Sequence, residues 1–269
     1  MIENVLVELE KKMEFGICSG PDIADMAREA GFTYLDGSVG DVLKPTGTEA
    51  EFEDSYAKLS AAVLPTQNLN CLLPGGLFVA GPDADIPKAV AYCTIAMQRA
   101  GRIGIRTICF GSGNGRRCPE GWPMETASKQ IRQFVSELAP VVKAAGVKLA
   151  VENLRTAETN TLCKIADISK LLDEVASPAV GILIDGYHWK ENADSAEDVV
   201  KISSKIFHTH IATSPSRFAP GEETCDFSPF AGALRKAGYT GQMSIEGKLN
   251  DKSVAGLRKM LETLKLAFQ

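Results

Sequence analysis

The sequence predicts a single-domain α/β protein with a (β/α)8 barrel fold. Eight short apolar segments with strand character alternate strictly with eight helical segments, which is typical of a parallel sheet. The length of 269 residues suits one closed barrel of about 250 residues. No linker or low-complexity stretch divides the chain, so we expect one domain over residues 1–269.

Local signals bound the predicted helices and strands. Pro21 lies at the start of the first helix, and Gly31 and Gly146 follow the ends of two helices; proline near a helix start and glycine just past its end are typical. The predicted strands are residues 14–18, 33–36, 65–72, 105–110, 147–151, 180–184, 205–209 and 242–245. The predicted helices are residues 21–30, 49–62, 87–100, 124–145, 164–176, 195–204, 227–237 and 253–267.

The last four predicted strands each lead into a side chain that can bind a metal: Glu152, Asp185, His210 and Glu246. In a barrel of this kind the active site lies at the carboxyl ends of the strands. A carboxylate buried there is costly unless something pairs with it. Three carboxylates and one imidazole suit Mn, Mg, Co or Fe(II), with Zn less favoured. We therefore predict one divalent metal ion, with His208 as a competing imidazole because residues two apart on a strand share a face.

Composition excludes several classes of function. The formal net charge of -5 argues against a nucleic-acid partner, which usually needs a basic surface. No apolar run reaches the roughly 18 residues of a membrane span, and residues 1–14 show no signal-peptide core. The seven cysteines contain no CxxC pair and indicate reduced thiols in a cytoplasmic protein.

A glycine-rich loop, residues 111–121, follows the fourth predicted strand. It does not fit a dinucleotide-binding G-x-G-x-x-G motif, because the third glycine would fall at Arg116. Arg116 and Arg117 are candidates to hold a phosphate or carboxylate of a substrate. A solvated pair of loop cations is the alternative interpretation.

Several motifs carry a resemblance over nearly the whole chain. They are Val151-Glu152-Asn153-Leu154, Ile184-Asp185-Gly186-Tyr187-His188, His208-Thr209-His210-Ile211, Arg217 before Pro220-Gly221, and Gly238-Tyr239-Thr240-Gly241 leading to Glu246. In these motifs the sequence resembles the sugar isomerase/epimerase group of xylose-isomerase-like TIM barrels, the superfamily that also includes AP endonuclease.

The resemblance to ketose 3-epimerases implies a role for each matching residue. It selects His210 over His208 and implies four metal ligands, Glu152, Asp185, His210 and Glu246. It also implies that Glu158, His188 and Arg217 bind the substrate. Thr213 stands where such proteins often have an acid, and the spacing from His210 to Arg217 is consistent with one inserted residue.

The implied activity is a metal-dependent sugar isomerase or epimerase. Glu152 and Glu246 would transfer the proton alpha to a carbonyl through a metal-stabilised enediolate. The substrate would be a small sugar or sugar derivative, and a homo-oligomer is a further expectation. The alternative is a dehydratase acting on a sugar acid or an inosose-like cyclitol. A phosphodiesterase for abasic DNA is disfavoured because the chain has only three histidines, and a non-catalytic barrel because all four ligands are present.

Overall fold

The structure, a computed structural model that describes residues 12–269, is a closed barrel of eight parallel strands. Each strand pairs with the next one along the chain, and the eighth pairs with the first. The predicted (β/α)8 fold is therefore confirmed. The interpretation that the amino terminus lacks a signal-peptide core falls mainly on residues 1–11, which lie outside the described residues.

The strands follow the prediction closely. They are β1 (Glu14–Cys18), β2 (Tyr34–Ser38), β3 (Thr66–Asn70), β4 (Thr107–Phe110), β5 (Lys148–Glu152), β6 (Val180–Asp185), β7 (Ile206–Ile211) and β8 (Gln242–Ile245). The α-helices are α1 (Ala24–Ala30), α2 (Val39–Leu43), α3 (Glu49–Ala61), α4 (Ile86–Arg102), α5 (Met124–Ala145), α6 (Ile165–Val175), α7 (Gly186–Glu191), α8 (Ala196–Lys201), α9 (Ser228–Lys236) and α10 (Val254–Phe268).

Two short helices, α2 and α7, were not predicted. The start of α7 has a clear local cause, because the Asp185 carboxylate accepts a hydrogen bond from the Tyr187 backbone N–H at 2.7 Å and so caps the helix. The chain therefore turns into a helix directly after β6 and carries His188 back over the barrel mouth. β3 ends two residues earlier than predicted, and Cys71 follows it with a φ of 55°.

Two predicted helix ends are confirmed. Gly31 and Gly146 follow α1 and α5 in the left-handed conformation, with φ values of 106° and 70°. Glycine adopts this conformation without a steric penalty. Within residues 12–269, no helix combines the length and the apolar character that a membrane crossing requires.

The interior of the barrel is narrow and partly polar. Tyr34 points inward, and a Cβ on Gly16 would lie 2.2 Å from its ring, so only glycine fits on the neighbouring strand. Ser244 donates a hydrogen bond to the Tyr34 hydroxyl at 3.1 Å, and Asn68 donates one to Gln242 at 3.0 Å. The main apolar core lies between the strands and the helices, which leaves the inside of the barrel free for polar groups beneath the mouth.

Candidate metal centre and active site

The predicted metal ligands come together at the carboxyl ends of four adjacent strands. Glu152 and Asp185 are the last residues of β5 and β6, His210 pairs in register with Asp185 on β7, and Glu246 directly follows β8. Glu152, Asp185, Glu246 and His188 each offer a ligand atom within 4.8 Å of the others. His210 Nδ1 lies 3.6 Å from Glu152 Oε1 and 3.6 Å from Glu246 Oε2.

Unpartnered polar atoms mark the centre of this cluster. Glu152 Oε1, Asp185 Oδ2, His188 Nε2 and His210 Nδ1 are buried and have no hydrogen-bond partner among residues 12–269. A buried polar atom without a partner costs roughly 1–3 kcal/mol. Glu152 Oε1, Asp185 Oδ2 and His188 Nε2 belong to one group with Glu246, and His210 Nδ1 borders that group through Glu152 and Glu246. A single cation held by the carboxylates and His210 could satisfy the atoms of Glu152, Asp185 and His210 together. The donor set of carboxylate oxygens and imidazole nitrogen fits a divalent ion of the Mn, Mg or Co kind.

His188 and His210 differ in which ring nitrogen lacks a hydrogen-bond partner among residues 12–269: Nε2 in His188 and Nδ1 in His210. His188 Nδ1 accepts a hydrogen bond from the Arg155 backbone N–H at 3.1 Å, so in the neutral imidazole the proton is on Nε2. His188 Nε2 lies 3.7 Å from Asp185 Oδ2 and 3.9 Å from Glu158 Oε2. His188 is therefore arranged as a hydrogen-bond donor rather than as a metal ligand.

The carboxylates differ in their electrostatics. Burial raises the pKa of Glu152, but the neighbouring His210 imidazole lowers it by more, so that the pKa falls to about 2. Burial raises the pKa of Asp185, and the negative charges of Glu246 and Glu152 raise it too. Without a metal ion, the cluster therefore holds one acid ionised and another biased towards its protonated form.

Arg217 and Glu158 lie beside the cluster. Arg217 Nη2 donates to Glu246 Oε2 at 2.7 Å, and its Nη1 donates to Glu158 Oε1 at 3.1 Å. The Arg217 guanidinium also lies over the Tyr187 ring, 5.2 Å from the ring centroid. Its φ of 55° places the Arg217 backbone in the left-handed region. Thr213, which replaces the expected acid, donates a hydrogen bond to Glu223, so a carboxylate is present there from another part of the loop.

The two loop arginines differ in their exposure: Arg116 is buried, whereas Arg117 is partly exposed. Arg116 has no exposed surface, and its Nε and Nη2 donate to the carbonyl oxygens of Gly111 and Glu152 at 2.6 and 2.7 Å. The structure thus gives Arg116 a role in holding the chain, and it is not available to a substrate. Arg117 is partly exposed and donates to the Ala157 carbonyl at 3.3 Å, outside the cluster.

Sequence reasoning missed three residues that touch the predicted ligands. Cys109 donates to Glu152 Oε2 at 3.1 Å, and Cys18 Sγ lies 4.0 Å from His210 Nε2. Asp36 lies between His208 and His210, with its Oδ2 3.1 Å from each Nε2. Asp36 ended the second predicted strand, so the rule that revealed Glu152 and Asp185 also applied to it.

The chain belongs to the xylose isomerase-like TIM barrel family, whose family model matches residues 24–266. The resemblance drawn from the sequence is therefore confirmed. The relatives named below are sugar epimerases, and this chain is an enzyme of the isomerase/epimerase kind.

Two relatives and one solved structure illustrate the similarity. The L-ribulose 3-epimerase of Mesorhizobium japonicum is 28% identical over 231 residues, covering 81% of this chain and 72% of that protein. The D-psicose 3-epimerase of Agrobacterium fabrum is 22% identical over 231 residues, covering 84% of this chain and 75% of that protein. A crystal structure of D-psicose 3-epimerase in the presence of D-fructose matches with a TM-score of 0.81 at 16% identity, covering 95% of this chain and 99% of that one. At that identity the structural match shows the fold alone.

Proposed function

We propose that this enzyme is a divalent-metal-dependent sugar epimerase or isomerase that moves the proton alpha to a ketose carbonyl. The observation that carries the proposal is a set of buried side-chain atoms without hydrogen-bond partners among the described residues, Glu152 Oε1, Asp185 Oδ2 and His210 Nδ1, which lie beside Glu246 at the carboxyl ends of the strands. The names of the relatives support a ketose as substrate.

In this proposal Glu152, Asp185, His210 and Glu246 hold one divalent ion. The O-rich ligand set favours Mn, Mg or Co over Zn or Fe. When bound, such an ion supplies Lewis-acid polarisation of a carbonyl and stabilises the negative charge that proton removal creates.

Glu152 and Glu246 then act as the proton-transfer pair. One carboxylate removes the proton alpha to the carbonyl, and the other returns a proton to the same carbon from the opposite face. Return to the opposite face inverts the stereocentre, whereas transfer to the adjacent carbon on one face would give aldose–ketose isomerisation. His188 donates from Nε2 to a substrate oxygen, and Arg217 and Glu158 bind further hydroxyl groups.

Arg117 is the weaker of the proposed substrate contacts, because its guanidinium already bonds a backbone carbonyl at the edge of the loop. We propose that the enzyme is located in the cytoplasm, because all seven cysteines are free thiols, as is usual in a reducing compartment.

The test is a set of ketoses incubated in deuterated water with Mn, Mg or Co, followed by NMR. We expect deuterium to enter at the carbon alpha to the carbonyl, together with appearance of the epimer. Glu152→Gln and Glu246→Gln should each abolish turnover, whereas Glu262→Gln, an exposed glutamate on α10, should not affect it. Full turnover in both site variants would overturn the proposal. Loss of water from the substrate would identify a dehydratase instead.

A further inference from the structure

Asp36 makes a contact that crosses the inside of the barrel. It lies on β2, which pairs with β1 and β3, whereas the histidines that it touches lie on β7, which pairs with β6 and β8. The Asp36 side chain is 1% exposed. Its Oδ2 lies 3.1 Å from His210 Nε2 and 3.1 Å from His208 Nε2. A buried carboxylate is costly unless donors pair with it. The two histidines are the partners of Asp36 Oδ2, whereas Asp36 Oδ1 has no hydrogen-bond partner among residues 12–269.

The contact dictates where the His210 proton lies. An ionised carboxylate can only accept a hydrogen bond, so the 3.1 Å contact is a hydrogen bond only when His210 Nε2 carries a hydrogen. In a neutral imidazole this leaves the lone pair on Nδ1. Nδ1 is the atom that faces Glu152 Oε1 and Glu246 Oε2, each at 3.6 Å.

We infer that Asp36 is a positioning residue that fixes the tautomer and the ring orientation of His210, so that Nδ1 presents its lone pair to a divalent ion. The inference rests on the proposed metal site, and it assigns a role to a residue that neither the motif pattern nor the ligand cluster contains. A carboxylate that accepts from the far nitrogen of a ligating histidine is a common device for orienting the ring and raising its basicity.

A second group of contacts holds Asp36 itself. His208 lies edge-to-face with His210, with ring centroids 5.1 Å apart and planes at 87°. His208 Nε2 also lies 3.0 Å from Ser244 Oγ, which donates to the Tyr34 hydroxyl. These contacts form a buried chain, Tyr34–Ser244–His208, that ends on the same Asp36 oxygen that His210 contacts. Ser244 touches His208 but makes no hydrogen bond to His210 among the described residues, which makes it a matched control.

The main test measures Mn²⁺ binding, by the EPR signal of the free ion, in the full-length protein. Asp36→Asn keeps the shape but removes the charge, so its amide can present either an oxygen or an N–H to His210. We expect the dissociation constant for Mn²⁺ to rise roughly 10- to 100-fold, and the visible spectrum of the Co²⁺ form to change. Ser244→Ala removes a contact of His208 but, within the described part of the chain, none of Asp36 or His210, so it should raise the dissociation constant for Mn²⁺ by much less than Asp36→Asn does. Unchanged affinity and an unchanged Co²⁺ spectrum in a folded Asp36→Asn variant would overturn the inference.

A measurement on the wild type needs no variant to fold. The chain has three histidines, so long-range ¹H–¹⁵N NMR of the metal-free protein, at a pH where His210 is neutral, can assign the tautomer of each ring. A proton on His210 Nε2 supports the inference, and a proton on Nδ1 contradicts it.

The two proposals fail in distinguishable ways. Wild-type protein that binds no divalent ion refutes the metal site, and the role of Asp36 with it. If the wild-type protein binds metal and epimerises a ketose, and the Asp36→Asn variant has the same affinity for Mn²⁺, only the role of Asp36 is refuted.

Discussion

Arg217 Nη2 lies 2.7 Å from Glu246 Oε2, so a cation of the protein already contacts one of the carboxylates proposed to bind the metal ion. Burial lowers the pKa of Arg217, but the charges of Glu246, Asp185 and Glu158 raise it above its ordinary value. The guanidinium therefore remains charged. Its second contact, with Glu158, places it between the proposed metal ligands and the proposed substrate-binding residues.

Replacing Arg217 with Met should separate substrate binding from metal binding. We expect kcat/KM to fall by roughly 10- to 100-fold, since a hydrogen bond to a charged group contributes about 1.5–3 kcal/mol. The affinity for Mn²⁺ should stay equal or increase, because a positive charge leaves the carboxylate cluster. Steady-state kinetics and Mn²⁺ titration measure the two effects.

Arg155→Met is the matched control for this substitution. Arg155 also lies over Tyr187 and pairs with Glu158 at 2.9 Å, but it makes no ion pair with Glu246 or Asp185 among residues 12–269. Its kinetic effect should be smaller. Weaker Mn²⁺ binding by Arg217→Met with unchanged kcat/KM would contradict the assigned roles.

Gly111 gives the Glu152 carboxylate the space that it occupies. A Cβ at position 111 would lie 2.1 Å from Glu152 Oε2, so in Gly111→Ala the carboxylate has to move. Because that carboxylate is the end of a side chain, the fold should tolerate the change. Metal and substrate sites need their groups within about 0.5 Å of the productive geometry, so we expect Mn²⁺ affinity and turnover to fall together.

Gly75→Ala provides the comparison for Gly111→Ala. A Cβ on Gly75 would meet no atom within 4 Å, so this variant should keep wild-type metal binding, turnover and thermal stability. If Gly111→Ala also kept wild-type Mn²⁺ affinity and turnover, Glu152 would not need its present position.

The sequence was sufficient to predict the barrel and to place the proposed ligands at the carboxyl ends of its strands, because both depend on local patterns. The choice of His210 over His208 came from the family resemblance and stays a prediction. An apolar run that ends on Glu152 or Asp185 indicates a buried strand, and it also shows that the acid lies at the carboxyl end of that strand. The partners of Asp36 could not be predicted in this way. Its contact with His210 joins residues 174 positions apart across the barrel, and strand periodicity alone does not say which inward-facing side chains meet.

Arg116 shows a second limit of the sequence. Its neighbour Arg117 has the same charge and lies in the same glycine-rich loop, so both were equal candidates to bind a substrate anion. What separates them is the turn of the loop, in which Arg116 points inward to the carbonyl oxygens of Gly111 and Glu152. Such carbonyl acceptors carry no signal in the sequence.

The buried Arg116 therefore leads to a prediction about stability. Arg116→Met should lower the free energy of unfolding by about 2–4 kcal/mol, because two buried carbonyl oxygens lose their donors at about 1–3 kcal/mol each while a costly buried charge is removed. Urea unfolding of the metal-free protein measures the change. Arg117→Met, at the partly exposed neighbouring position, should change the stability by less than about 0.5 kcal/mol. If Arg116→Met lowered the free energy of unfolding as little as Arg117→Met, the contacts of Arg116 would add no stability.

The affinity for the metal ion should increase with pH. Burial and the charges of Glu246 and Glu152 raise the pKa of Asp185, so the metal-free protein retains a proton there at a pH where an exposed aspartate has lost it. Burial lowers the pKa of His210, but the neighbouring Cys18, Glu246 and Asp36 raise it well above the ordinary value. A metal ion needs the ionised carboxylate and the free imidazole nitrogen, so its binding has to release these protons.

The sign of the pH dependence follows from these directions. Below the raised pKa values protons compete with the ion and the affinity falls, whereas above them the sites are free and the affinity reaches a plateau. Glu152, with a pKa lowered to about 2, is ionised at every pH in the experiment and adds no dependence. Isothermal titration of Mn²⁺ in two buffers of different ionisation enthalpy counts the protons released at each pH. We expect net proton release at a pH below the raised pKa values of Asp185 and His210, and a decline of the release as the pH rises past them. A constant affinity with no proton release over that range would show that Asp185 and His210 are not both ligands.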